Sequence, residues 1–287
     1  MIGIELTTFM TVPEIDLETA VRLITVLTGL HLLYSSAELY SVRRQYGVGG
    51  FMSWKVVSVY VGNIRGISLL SPLLGRFPTL ILVRFCLGGA LIGIGALGSM
   101  LPLYQVVLPV AVFVALVLDV LVIVRHPAGL SGAFDMSLVT HAGLFVATAM
   151  PNNRTIQLAG ILFIATQGIL GYFLAGVAKA IGKEWRTGEA LEMVLSTKTW
   201  GDDRLYELIQ SHAWLKRIVG GKIVLFEVLF PVVLFVDPQI VVAIFAIGII
   251  FHVVNAVVMG INSFVIMFPA TYPAIYYANQ LIPWTIV

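Results

Sequence analysis

Runs of about 20 apolar residues, each continuous rather than alternating, fill most of this 287-residue chain and are separated by short polar breaks. About 20 such residues make one helical crossing of a bilayer, whereas strands of a membrane barrel alternate apolar with polar side chains. The pattern predicts an all-α fold, a polytopic transmembrane helical bundle of about eight spans with interfacial amphipathic helices. The spans run from about Leu17 to Tyr40, Pro78 to Met100, Tyr104 to Val124, and Phe134 to Met150. The others cover about Ile156 to Ala178, Gly221 to Val236, Pro238 to Met259, and Ile261 to Ile282.

The polar breaks carry their own signals. Ser41 to Phe77 holds Arg43, Arg44, Lys55, Arg65 and Arg76, and its Phe51 to Leu74 portion reads as interfacial and amphipathic. The short turn at Leu101-Pro102 makes the second and third spans a helical hairpin. Gly89 and Gly93 have the small-xxx-small spacing that lets membrane helices approach closely. Gly182 to Gly220, the longest polar stretch, is expected to hold one amphipathic helix, Arg204 to Arg217. With no internal repeat or linker, residues 1–287 read as a single transmembrane domain. Basic residues concentrate in Ser41 to Phe77 and Lys179 to Gly220, which puts both stretches on the cytoplasmic side. The acidic N-terminus, with Glu5, Glu14, Asp16 and Glu18, is then outside, and it is not the basic start of a cleavable signal peptide.

Composition narrows the function classes. The chain is 59% hydrophobic and 11% charged, with a mean hydropathy of +0.98, against about 25% charged residues in a soluble domain. The lipid bilayer is therefore the first partner. A net charge of +2, without a basic cluster, gives no reason to expect nucleic acid. Cys86 is the single cysteine, which excludes an intramolecular disulfide and any quinone chemistry run by a cysteine pair. The five histidines stand in neither HxxxH nor HExxH spacing, so no metal site is expected.

Ionisable groups inside the spans are the candidate chemistry. They are Arg22, His31, Glu38, Arg84, Asp119, His141, Glu227 and His252, and each charge costs on the order of 2.5–3.5 kcal/mol to insert. The structural reading has Arg22, Arg84, Asp119 and Glu227 neutralising one another or snorkelling near helix ends, Arg22 and Arg84 above all the latter. Lys179 closes the fifth span, with Gly176, Ala175 and Tyr172 three, four and seven residues before it on one helix side. Two small neighbours leave room for a ligand or another helix, so Lys179 is either functional or an interfacial anchor. His252 and Asn255 share a face that Met259 continues, and His252, like His141, is either a site residue or a hydrogen-bonded packing residue.

Four short motifs add a resemblance. Tyr172-Phe-Leu-Ala-Gly-Val-Ala-Lys179, followed by Glu184-Trp185 and Gly188, resembles the segment of vitamin K-dependent γ-glutamyl carboxylases that carries their catalytic lysine. Phe251-His252-Val-Val-Asn255, with Gly260-Ile261 and Phe268-Pro269, is similar to that family's Phe-His-x-x-Asn motif and the element after it. Thr140-His141 resembles an Asn-His pair implicated in the carboxylation step, and Glu227 with Phe230-Pro231 resembles a Glu-x-x-Phe-Pro pattern. Those enzymes belong to the HTTM (horizontally transferred transmembrane) superfamily, and Ala178 stands where they carry a second lysine.

The resemblance implies a membrane enzyme that couples quinol oxygenation to proton abstraction from, and carboxylation of, a peptide or protein substrate. Its cofactors would be reduced vitamin K or menaquinol, O2 and CO2. Lys179 would be the base towards the quinol and His141 the proton donor or CO2 orienter, with His252, Asn255, Tyr172 and Trp185 positioning quinol or substrate. The carboxylases add a large extramembrane domain that binds the substrate propeptide, so a separate accessory protein is expected here. The superfamily also contains stand-alone SdpB-like proteins linked to maturation of secreted peptide toxins in prokaryotes. That leaves a second reading, a non-enzymatic factor for maturation or export of a secreted peptide, and implies a prokaryotic plasma membrane. A transporter is the weakest reading, since no inverted repeat or pair of broken half-helices is visible.

Overall fold

The computed structural model describes residues 13–127 and 129–282, so Glu5 lies outside the described residues. Among those residues every regular element is helical. The first helix, α1 (Leu17–Ser41), begins where the Asp16 carboxylate accepts the Thr19 amide at 2.7 Å, satisfying one of the unpaired donors of a helix start. Two short helices, α2 (Trp54–Val61) and α3 (Ile67–Gly75), occupy the stretch read as interfacial. Then come α4 (Phe77–Leu97), α5 (Tyr104–Val124), α6 (Gly132–Ala149) and the 28-residue α7 (Arg154–Ile181), which is capped by Asn153.

The polar stretch after α7 folds into α8 (Lys183–Thr187), α9 (Glu189–Leu195) and α10 (Asp203–Ser211). The single amphipathic helix expected over Arg204 to Arg217 is thus broken at His212, and Arg217 belongs to α11 (Ala213–Leu229). A tight helical stretch, Phe230–Phe235, extends α11 through Pro231, which cannot donate an α-helical hydrogen bond. The helix α12 (Pro238–Met259) starts on an Asp237 cap and stops at Gly260, whose φ of +69° suits glycine. The last segment is broken into α13 (Phe264–Met267), a turn at Pro269–Thr271, and α14 (Tyr272–Gln280).

Among the described residues six helices are long and apolar enough to cross a membrane: α1, α4, α5, α7, α11 with its extension, and α12. Two more expected spans, α6 and the broken segment from α13 to α14, run through the protein interior. The first carries Ser137, Thr140, His141 and Thr148, all buried, and Tyr272 to Asn279 is buried throughout. The outward faces are apolar, with Leu82, Val83 and Phe85 on α4 and Ile247, Ile250 and Val254 on α12 exposed where lipid would lie.

Backbones meet at glycines, but not at those the spacing suggested. Gly89 and Gly93 face open space. The α1–α4 crossing is instead made by Gly29 and Gly88, where a Cβ on either residue would stand 2.7 Å from the other's carbonyl oxygen. At the α6–α7 crossing, a Cβ on Gly143 would stand 3.0 Å from the Gly160 carbonyl oxygen.

The intramembrane charges pair partly as expected, Arg84 with Asp119, and partly otherwise. Arg84 does not snorkel: it is fully buried and donates from Nε and Nη2 to Asp119 Oδ1 at 3.2 and 3.0 Å. Its Nη1 donates to Ser35 and Ser36 of α1. Arg22 meets no carboxylate among the described residues and donates to the Gly95 and Ala96 carbonyls, which the end of α4 leaves unpaired.

Candidate functional site

Helix α7 brings its Tyr172–Lys179 face against α11, α12 and α14. Gly168 lies against Thr271, and Gly176 lies so close to α11 that a Cβ would stand 2.7 Å from Glu227 Cβ. That approach lets the Glu227 carboxylate take Lys179 Nζ on both oxygens, at 2.8 and 2.7 Å. Trp185, carried back by the turn at Gly182, lies with its ring centroid 5.4 Å from the same ammonium. Glu227 is 5% exposed and Lys179 22%, so the pair sits at the edge of the protein interior. Glu227 therefore neutralises Lys179, not the arginines to which the sequence reading assigned it.

Two turns deeper, Tyr172 is buried and stacks on Phe230 with centroids 3.9 Å apart. Its hydroxyl bridges His252 Nε2 at 2.6 Å and the Tyr272 hydroxyl at 2.7 Å. His252 is buried too, and its Nδ1 meets no partner among the described residues. Asn255 and Met259 continue the His252 face of α12 towards the Lys179 end.

These groups surround one cavity of about 270 Å³. Five of the six site residues expected from the sequence line it: Tyr172, Lys179, Trp185, His252 and Asn255. Its other walls are mostly apolar, including Ile223, Phe251, Phe264 and Phe268. The volume falls just under the usual span of small-molecule pockets, about 300–1,000 Å³, and the make-up is the usual one of an apolar shell with few convergent polar groups.

The sixth residue, His141, is elsewhere. Its Nδ1 bonds to Asp119 Oδ2 at 2.8 Å, and Ser137 donates to the same oxygen at 2.7 Å. His141 thus belongs to the Arg84–Asp119 cluster between α1, α4, α5 and α6. His141 does not line the cavity, while Met136 of the same helix lies against Gly171, which does.

Sequence reasoning missed two site residues. Glu227 was noted for its motif but not as the lysine's partner, 48 residues away. Tyr272 carried no signal at all: it lies 100 residues from Tyr172, and its hydroxyl reaches that tyrosine only where Gly248 leaves space beside it.

The cavity could hold a flat, weakly polar molecule, with hydrogen-bonding groups at both ends and aromatic rings along its walls. Among the described residues no group of three or more His, Cys, Asp or Glu is placed to hold a metal ion.

Comparison with known families places the cavity within a matched segment. Residues 145–279 match the family model described as HTTM domain, a range that contains α7 to α12 and every cavity residue. It leaves out Arg84, Asp119 and His141. No curated protein and no solved structure matches the chain. The apolar helices make the chain a multi-pass integral membrane protein, and its residues 145–279 match the HTTM domain.

Proposed function

We propose that the protein is a membrane enzyme related to the vitamin K-dependent carboxylases, and that the Lys179 cavity holds a quinol. The observation that carries the reading is the convergence of Tyr172, Lys179, Trp185, His252 and Asn255, from motifs about 80 residues apart, on one apolar cavity. The donor set suits a quinol: His252 Nδ1 is buried and unpartnered, Asn255 offers an amide, and the walls are aromatic. Bound there, reduced vitamin K or menaquinol would be oxidised by O2 in a four-electron reaction to its epoxide and water, and would drive removal of a carbon-bound proton, leaving a carbanion to which CO2 then adds.

The chain's own residues would bind, orient and move protons. Lys179 accepts a proton from a quinol hydroxyl only after giving one up, and Glu227 stands 2.7 Å away to receive it. The Tyr272–Tyr172–His252 chain holds the imidazole with Nδ1 free for a ligand oxygen. The aromatic walls exclude water, which would quench a strong base. His141, which does not line the cavity, would act from its own cluster and not by touching the quinol.

The test uses purified protein in lipid nanodiscs with vitamin K hydroquinone, O2 and bicarbonate, scoring epoxide. Lys179→Ala should lower the rate by about 10²–10⁴, the usual worth of a positioned base. Full epoxidation by Lys179→Ala would end the proposal.

One observation favours the second reading, an SdpB-like factor without chemistry. Lys179 is held by both carboxylate oxygens of Glu227, a geometry that also serves to fasten α7 to α11. On that reading folded protein makes no epoxide, Lys179→Ala is functionally silent, and a secreted peptide precursor co-purifies.

A further inference from the structure

The cluster around Asp119 leaves polar atoms that the protein itself does not satisfy. His31 is fully buried against α6, its ring edge-on to Phe134 at 5.7 Å, yet neither ring nitrogen meets a partner among the described residues. The same holds for Thr140 Oγ1 and His141 Nε2. A buried polar group without a hydrogen bond costs about 1–3 kcal/mol, so four in one cluster call for a hydrogen-bonding guest.

A second observation says where that guest enters. One side of α1 carries Thr25, Thr28, His31 and Ser35 at helical spacing, all with no exposed surface. Each hydroxyl donates back to its own helix, Thr25 to Val21 O, Thr28 to Thr25 O and Ser35 to His31 O. Oxygen lone pairs therefore remain free to accept along the stripe. The stripe begins at Val21, which lines a second cavity of about 580 Å³ at the end of the bundle opposite Lys179. Glu18, Tyr104, Thr148, Arg154 and Gln157 give that cavity a polar lining, and Tyr104 Oη is itself buried and unpartnered. Thr148 lies seven residues from His141, on the same face of α6.

We propose that a file of internal water molecules runs from this second cavity along the Thr25–Thr28 stripe to His31, Thr140 and His141, and delivers protons to the His141 cluster from the face opposite Lys179. Water is the guest because the cluster's charges are already matched. Arg84 on α4 is neutralised by Asp119 on α5, so an anion would face the carboxylate and a cation the guanidinium. His31, Ser35 and Ser36 of α1 and Ser137, Thr140 and His141 of α6 are the other polar groups there, while α7 places Ile164 against Gly143 of α6. Internal waters take two to four hydrogen bonds from polar walls, and the unpartnered atoms provide such a wall. The path is independent of the quinol reading, since it involves neither Lys179 nor its cavity.

The experiment is deuterium exchange at the histidine C2 position, read by mass spectrometry on the full chain in nanodiscs. His31 and His141 should exchange, although fully buried, while backbone amides of α1 and α6 stay protected. Thr28→Val, which removes one hydroxyl from the file, should slow both histidines about tenfold or more and leave His252 unchanged. Absence of exchange at His31 and His141 while exposed His212 exchanges would overturn the proposal, and so would indifference to Thr28→Val in folded protein. If that variant does not fold, exchange in the wild-type chain decides alone.

Discussion

Replacing Asp119 by alanine tests whether the buried cluster is the main strut of the N-terminal half. Asp119 is 1% exposed and accepts from Arg84 Nε and Nη2, Ser137 Oγ and His141 Nδ1, at 3.2, 3.0, 2.7 and 2.8 Å. Its loss strands a guanidinium inside the bundle, on the order of 2.5–3.5 kcal/mol on insertion scales. It also orphans two donors, each worth roughly 0.6 kcal/mol in membrane double-mutant cycles. The expected loss is about 4 kcal/mol, within the roughly 3–5 kcal/mol found when one partner of a buried ion pair is removed. By the usual relation for chains of this size, the midpoint of thermal unfolding should fall by roughly 10 °C. The assay is reversible unfolding in mixed micelles, run on Asp119→Ala, Arg84→Met and the double variant. The double should recover part of the loss, because neither charge is then left alone. A loss below about 1 kcal/mol for Asp119→Ala, or strict additivity in the cycle, would mean that the charges are solvated and not paired, and would refute the reasoning.

Two further predictions rest on single positions. Gly88→Ala should destabilise the protein by about 1–3 kcal/mol, because its Cβ meets the Gly29 carbonyl oxygen at 2.7 Å, while Gly89→Ala should be neutral or gain up to about 1 kcal/mol of helix propensity. Comparing their unfolding midpoints checks the helix phase, and equal effects would contradict it. His126 lies just past α5, its Nδ1 on Val122 O at 2.6 Å and its Nε2 on the Tyr46 hydroxyl at 2.8 Å. Burial holds its pKa below the ordinary 6.5, with Arg125 adding to the effect, so the unfolded chain takes up a proton before the folded one does. Its stabilisation is present above about pH 6.5 and is lost as pH falls below that; His126→Asn should flatten the midpoint-versus-pH curve there, and an unchanged curve would count against this assignment.

Much of the architecture was legible because apolar length sets helix crossings directly: seven of the eight expected spans each correspond to one long helix, and the last is broken into short ones. The Lys179 cavity was partly legible too. His252, Asn255 and Met259 share a face by helical spacing alone, and so do Tyr172, Ala175 and Lys179. What stayed hidden depends on contacts between distant parts of the chain. Gly88 lies one turn from Arg84 on the same face of α4, but reading Arg84 as a snorkelling residue hid that this face meets α1. Arg84 looked like a snorkelling residue because it sits in the first third of its span, and only Asp119 and two serines on another helix keep it inside. The break at His212 fell within a stretch whose helical pattern continues on both sides, which hid the end of α10.

The ion pairs also set a timetable for biosynthesis. Arg84 leaves the ribosome 35 residues before Asp119, and Lys179 leaves 48 residues before Glu227. At about 5–20 residues per second, each cation waits roughly 2–10 s for its carboxylate. The Arg84 cluster closes once α6 has entered, before most of the matched HTTM segment has been made. Helix α7 is different, because its lysine has no acidic partner until α11 arrives. The nascent chain thus passes through a state in which the Arg84–Asp119 pair is already closed while Lys179 still needs the insertion machinery, or a wet interface, to shelter it.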